Sequence, residues 1–563
     1  MRASLKPLVA LAVSAAFAVV LSPLLAALLG TGLQGGMTPA FGGIAEPIGG
    51  SMSTALFGAM VALVLGLPFA LLVERSRAGF RRVCWTLGLL VLMMPPYIVA
   101  ESAIVLLGPA GKIARPAATL LGLGPGTADP IAVARFTVPD FIYSAMAVGV
   151  VMGGCLFPVV SLAVASAYRR TDHRVFESAR LAQGRVGVLK IWALVLIPPA
   201  LGAALLVFAL TLTEFAVPQL LRVRTVGEAI HERIQEGAVA EAAALSLPLL
   251  PIVVAAGALG AFILMRSRVA SLAGLEGEVP RFTGRYLGGA GHLAAGLATL
   301  LAITPALILP GVSLSWLAVT ARMSQSPMRG RHKFIRTSGV FNSFRGAWDL
   351  AHDDAVRTVL LAALAATLAT IFATALARLT SRVGWGPSLG TLGAGVAVPA
   401  SIVGLGLITL WNRDAGAVVY QSSAIVILAW FARFFPIAVF LAQGALARVP
   451  KELENAAALA GRGPVERFVV AVLPNAAPGL AAAWLAIYVL SATEYGATVL
   501  ISPPGKPLLA PSVMNLMRRG QDAEIAACQI LLLGVIALPL VLIALGVVLR
   551  SRIGSAAKAK GTP

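Results

Sequence analysis

Charge is scarce in this chain. Asp, Glu, Lys and Arg make up only 12% of its 563 residues, about half the share of an ordinary soluble protein. Such a sequence cannot cover a globular surface with solvated side chains. Cysteine is nearly absent: Cys84, Cys155 and Cys528 all fall in or beside apolar stretches. Their spacing excludes a zinc site or a disulfide framework and reads as small core residues. The five histidines, His173, His231, His292, His332 and His352, are scattered. No nucleophile, cofactor or metal-ligand constellation is apparent, so no catalytic, cofactor-binding or metal residue is assigned and the chain is not read as an enzyme. A phosphate-binding loop is missing too. Gly111-Lys112 runs into Ile113 and Gly505-Lys506 into Pro507, where the loop needs Ser or Thr to reach the nucleotide's magnesium. No polar stretch is long enough to fold as a soluble domain. That excludes a self-contained ATPase and leaves ion coupling or a separate protein as the energy source.

Long hydrophobic runs are present in abundance, with 58% of residues apolar. Crossing about 30 Å of hydrocarbon takes roughly 20 residues. Six runs fit before the middle of the chain: Leu8–Leu29, Ser51–Val73, Val83–Leu107, Phe141–Ala167, Ile191–Thr213 and Ala243–Leu264. Six more follow: Leu293–Val319, Thr358–Leu379, Ser388–Trp411, Ser422–Leu446, Phe468–Leu490 and Ile525–Leu549. The expected fold is an all-α integral membrane protein of about 12 transmembrane helices. The first run has a basic start like a signal peptide's but is long for one, and is expected to remain as a signal anchor. The net charge of +20 would fit nucleic acid, but the basic residues cluster at the ends of the apolar runs, where cytoplasmic loops collect them. Nucleic acid is therefore excluded as a partner and membrane lipid expected as one. Summed over alternate loops, the bias puts both termini in the cytoplasm. Against it stands a basic outside loop at 322–357, read as solvated surface or as a dock for an acidic partner or anionic ligand.

Two polar islands organise the chain. Arg174–Pro198 and Lys451–Pro474 each lie between a fourth and a fifth span of their half. Pro158 and Pro436 stand 278 apart, Glu177 and Glu454 277, Gly184 and Gly461 277, and Glu214 and Glu494 280. So regular an offset implies an internal repeat in the same orientation: two parallel six-helix halves, residues 1–265 and 291–563, joined by a cytoplasmic linker at 266–290 that Gly274, Gly277, Pro280 and Gly284 keep from forming a long helix. In the second island Glu454, Ala458 and Gly461 share a face of a short helix. Its small residues would let a partner's cleft approach closely, and the glycine lets the chain turn.

Four ionisable residues fall within or at the ends of apolar spans: Glu101, Glu214, Glu494 and Arg433. Charge in lipid is costly, so each is expected to face protein or water. Glu214 and Glu494, equivalent in the two halves, either line a transport path or cap a helix end through backbone amides. Arg433 is expected to pair with a carboxylate. Pro95, Pro96 and Pro399 interrupt their spans, which is tolerated beside a cavity.

The islands resemble the EAA loop of binding-protein-dependent ABC importer permeases: Glu-Ala-Ala, a spacer, Gly, then Ile-x-Leu-Pro. The second copy has Glu454-Asn455-Ala456-Ala457-Ala458-Leu459-Ala460-Gly461 and Val472-Leu473-Pro474; the first has Glu177-Ser178-Ala179-Arg180-Leu181-Ala182-Gln183-Gly184 and a late Pro198. Asn455 and Ser178 stand where the family carries the motif's Glu. The resemblance implies that Glu177, Ala179, Gly184, Glu454, Ala457, Ala458 and Gly461 form two coupling loops. These would seat on two ATP-binding cassette ATPase subunits, while a periplasmic solute-binding protein delivers the solute and the permease works by alternating access in a bacterial inner membrane. Tandem chains of this kind serve ferric iron, 2-aminoethylphosphonate or thiamine. Pro95-Pro96-Tyr97 and Thr493-Glu494-Tyr495-Gly496 are most similar to the ferric-iron type, making ferric iron the first expectation. An ion-coupled secondary transporter is the alternative of a different class.

Overall fold

The computed structural model describes residues 44–108, 139–171, 173–266, 288–320, 340–383, 399–519 and 522–560. The run Leu8–Leu29, nearly all of the linker, residues 322–339 of the basic loop and the beginning of Ser388–Trp411 lie outside them.

Among the described residues the secondary structure is entirely helical. The helices are α1 (Ala45–Glu74), α2 (Ala78–Val91), α3 (Pro96–Leu107), α4 (Ala145–Arg170), α5 (His173–Leu212), α6 (Ala216–Leu220), α7 (Val226–Gln235), α8 (Val239–Ser246) and α9 (Leu249–Arg266). The later part has α10 (Gly289–Ile303), α11 (Leu309–Thr320), α12 (Val340–Val383), α13 (Ala400–Trp411), α14 (Ala424–Ala447), α15 (Lys451–Leu459), α16 (Leu473–Ala492), α17 (Thr498–Ile501), α18 (Leu509–Arg519) and α19 (Asp522–Lys560). Eight helical segments are long and apolar enough to cross a membrane, or nine if α2 and α3, bent by 90° at their junction, form one span. The expected twelve is therefore not reached among the described residues. Ala243–Leu264 is divided between α8 and the shorter apolar helix Leu249–Leu264, and of Ser388–Trp411 the described part is Ala400–Trp411.

The outside of this bundle is apolar, as a chain dissolved in lipid requires. Leu56, Met60 and Val64 form a stripe at four-residue spacing on α1, and each is about half exposed or more. Leu360, Leu364 and Ile371, spaced by four and seven residues, form another on α12. Burying such side chains gains little when lipid is the alternative, so helices associate through small residues that let backbones approach. α1 packs on α4 in this way. A Cβ on Gly153 would come within 2.6 Å of the Gly58 carbonyl oxygen, and one on Gly149 within 2.3 Å of Phe57 Cβ. Between α12 and α14, which pack on each other, alanines take that role: Ala362, Ala365, Ala366, Ala369 and Ala373 on α12 and Ala438 and Ala442 on α14 are buried at about 1% exposure or less.

Polar groups inside are satisfied in matching ways in the two parts of the chain. The Val226 amide at the start of α7 donates to Ser51 Oγ at 2.9 Å. The Leu509 amide at the start of α18 donates to Thr358 Oγ1 at 3.0 Å. Each hydroxyl satisfies an amide that the helix itself leaves free. At the end of α1 the buried Glu74 carboxylate takes a two-pronged bond from Arg169 (2.8 and 2.6 Å) and another from Trp85 Nε1 (2.7 Å), tying α1, α2 and α4 together. In the basic region, Arg357 is not simply solvated. Its Nη1 donates to the Pro507 carbonyl at 2.5 Å and reaches Asp354 at 3.5 Å.

Candidate functional site

Both prolines at 95 and 96 do what their chemistry dictates. A proline ring fixes φ and lacks an amide, so it suits a helix start and breaks a helix interior. α2 stops at Val91, the chain turns by 90°, and α3 starts at Pro96 with Pro95 extended before it. Pro399 precedes α13 in the same manner, and α3 and α13 are both 12 residues long. Ile98 and Ile402 donate their amides to the carbonyls of Pro95 and Pro399, each at 3.0 Å.

The starts of these helices open onto a cavity of about 180 Å³. Its lining comes from α2 to α4 and the end of α5 on one side, and from α13, α14 and the end of α16 on the other. Three of the four intramembrane ionisable residues meet here, namely Glu214, Glu494 and Arg433. Glu101, on α3, is outside the lining. Many lining residues occur as sequence-matched pairs: Thr213 with Thr493, Glu214 with Glu494, Phe215 with Tyr495, and Cys155 with Arg433, the last pair carrying the 278-residue offset of Pro158 and Pro436. The rings of Phe215 and Tyr495 stack on each other, 5.8 Å between centroids and 5° from parallel. Tyr495 Oη also reaches Gln219 Oε1 at 3.3 Å.

The two carboxylates have unlike surroundings. Glu494 is buried, and Arg433 Nη1 lies 2.5 Å from its Oε1. It also accepts from the amides of Ala497 and Thr498 at 2.9 Å, capping the start of α17, and from the Thr498 hydroxyl, which in turn accepts from Trp430 Nε1 at 3.0 Å. Capping and cavity lining are thus properties of the same side chain. Glu214 is half-buried and accepts from the Ala216 amide at 3.0 Å, where α6 begins. No side chain among the described residues hydrogen-bonds to it. Tyr97, 3% exposed, lines the cavity, has a buried hydroxyl without a hydrogen-bond partner, and lies within electrostatic reach of both carboxylates.

The loop residues lie elsewhere. Glu177 is exposed and Ala179 half-buried on the first turns of α5, which kinks at Gly184, where φ is +62°. α15 ends just before Gly461, φ +77°. Nothing lies within 4 Å of where a Cβ would sit at either glycine, so the left-handed backbone, not crowding, calls for glycine. Ala457 and Ala458 are half-buried on α15. Glu454 turns toward the bundle and pairs with Arg378 of α12. Leu181 and Leu459, just before the glycines, are 89% and 91% exposed. The sequence reading passed over these two leucines, whose place three and two residues before the glycine was their only signal. It also passed over Tyr97 as a polar group and Cys155 as a cavity residue.

No family model matches the chain. It is 28% identical over 208 residues to a putrescine transport system permease protein of Escherichia coli (strain K12), covering 34% of this chain and 73% of that one. It is 31% identical over 142 residues to a putative 2-aminoethylphosphonate transport system permease protein of Salmonella paratyphi A (25% and 52%). Over 131 residues it is 28% identical to an Fe(3+)-transport system permease protein of Haemophilus influenzae (23% and 25%). Of the last two, the chain spans about half and a quarter of the relative's length. All three are transport permeases and not enzymes, and this chain resembles the permeases of binding-protein-dependent importers.

Proposed function

We propose that this chain is the membrane-spanning permease of an ATP-driven importer, with two parallel halves in one polypeptide and a transport path between them. The observation that carries the reading is the pair of exposed loops, each an apolar tip (Leu181, Leu459) followed by a glycine in a left-handed conformation. Each loop exposes several large apolar side chains close together in sequence, Leu181, Val186 and Leu189 in the first and Leu453, Leu459 and Val465 in the second, and a cluster of that kind marks a surface that a partner covers. The sequence resemblance supplies the partner: two ATPase subunits at the cytoplasmic face. A binding protein outside hands over the solute, and the chain spans a bacterial inner membrane with both termini on the cytoplasmic side. Matched features in the two parts, the Pro95 and Pro399 helix starts, the Ser51 and Thr358 caps and the Phe215–Tyr495 stack, support a duplicated permease unit.

In this reading the permease does no chemistry. ATP-driven closure of the ATPase subunits moves the two loops, and α5 and α16, which continue from them, carry the motion to the cavity-lining residues at their far ends. Ferric iron, 2-aminoethylphosphonate, thiamine and putrescine are each open as the solute. The test is co-expression with the ATPase subunits. The complex should co-purify, and Gly184→Asp or Gly461→Asp should release the ATPase subunits while the chain stays in the membrane. Retention of the complex at full yield by both variants would count against the assignment.

A further inference from the structure

The two sides of the cavity are related in sequence but not in charge. Around Glu494 the structure places Arg433, Thr498 and Trp430. Moving back by the offsets that relate the two parts (433 minus 278, 494 minus 280, 498 minus 280, 430 minus 278) gives Cys155, Glu214, Pro218 and Met152. The carboxylate is kept while its guanidinium, its hydroxyl and the indole behind them are replaced by a thiol, a proline and a thioether. One half of the cavity thus holds a complete ion pair, and the other holds the anion alone. Glu214 keeps a backbone amide as its hydrogen-bond donor and no side-chain donor among the described residues, although the charge of Arg433 reaches it from across the cavity. Leaving a carboxylate in a partly dry site without its cation is costly unless something fills the place.

We propose that the cavity binds an organic ammonium ion, whose nitrogen takes beside Glu214 the place that the Arg433 guanidinium takes beside Glu494. The Tyr97 hydroxyl, buried and unpartnered in a residue of the cavity wall, is the second acceptor that the same nitrogen would engage. Met93, Met152 and Leu156 offer apolar wall to an alkyl chain. An anion fits poorly: Arg433 is already engaged, and the ligand would lie against a bare carboxylate. A bare ferric ion fits poorly as well, since no three His, Cys, Asp or Glu side chains gather to hold a metal among the described residues. Calling this ligand the transported solute rests on the permease reading; the binding chemistry of the cavity does not.

Cys155 provides the test, because it stands in the lining where the second half has arginine. In the full-length chain carrying Cys84→Ala and Cys528→Ala, Cys155 is the one remaining thiol. It is labelled in liposomes with 2-aminoethyl methanethiosulfonate, an ammonium, and with 2-sulfonatoethyl methanethiosulfonate, an anion, each rate divided by that for free 2-mercaptoethanol. The ammonium reagent is expected to react at least about tenfold faster, and excess putrescine to slow it. Glu214→Gln, which keeps the oxygen that accepts from Ala216, is expected to bring the ratio to about one. Equal rates, a faster anionic reagent, a ratio indifferent to Glu214, or no labelling by either reagent overturns the proposal. Co-purification with the ATPase subunits judges the permease reading separately, since it does not depend on Cys155 or Glu214.

Discussion

Replacing Arg433 by leucine isolates the ion pair at the centre of the cavity. Arg433 Nη1 and Glu494 Oε1 are 2.5 Å apart, with side chains 17% and 1% exposed. Removing one partner of a buried pair costs about 3–5 kcal/mol, because the other charge is left behind in a poorly polar site. Glu494 would keep the amides of Ala497 and Thr498, which places the expected loss at the lower end, about 3 kcal/mol, or roughly a hundredfold in the folded-to-unfolded ratio. The second substitution sharpens the expectation. In Arg433→Leu with Glu494→Gln the stranded charge is gone, although the single Gln oxygen keeps only one of the two amides, which bind separate oxygens of Glu494; the double variant should still recover about 1 kcal/mol of what the single one lost. Reversible unfolding in mixed micelles, followed by tryptophan fluorescence, measures both. Trp430 hydrogen-bonds into the same network through Thr498 and serves as a local reporter. A single variant within about 0.5 kcal/mol of the parent, or a double variant no better than the single, would refute this account of the pair.

Gly461→Ala places no atom in a crowd, so it should cost only the left-handed backbone penalty, about 1–2 kcal/mol, and leave ATPase co-purification intact where Gly461→Asp abolishes it. Gly153→Leu drives a side chain into the Gly58 carbonyl and Val61 Cβ, both 2.6 Å from the new Cβ; melting in detergent should fall by the upper range of overpacking, about 3 kcal/mol. Arg378→Ala frees Glu454 from α12; amide exchange across Lys451–Leu459 should speed up while the cavity-lining helices stay protected. Ser51→Ala and Thr358→Ala each leave a helix-start amide unsatisfied and should each cost about 1 kcal/mol by the same unfolding measurement.

Helical class and much of the span placement were legible, because a lipid solvent imposes long apolar runs that no other fold needs. Pro95-Pro96 marked the break between α2 and α3, since proline chemistry acts locally. The pairing of Arg433 with a carboxylate followed from the cost of charge in lipid, and it is the pair the structure shows. What stayed hidden depends on which helix faces which. Cys155 reads in sequence as a small core residue, and it is buried, yet it also lines the cavity because α4 meets α14 across it. Glu454 reads as part of an outward face on helical spacing alone, but Arg378, 76 residues earlier, turns it inward. The shortness of α9 was likewise not visible in Ala243–Leu264, whose apolar run continues through the turn before Leu249.

The most direct test of the account is ATP-driven uptake. The full chain is reconstituted in liposomes with its two ATPase subunits inside and its solute-binding protein outside, and uptake is followed with ATP supplied or withheld and with the proton gradient kept or collapsed. Accumulation that requires internal ATP, survives loss of the gradient and disappears in Gly184→Asp and Gly461→Asp is the predicted result. Accumulation that persists without ATP and stops when the gradient is dissipated would show an ion-coupled carrier and contradict it.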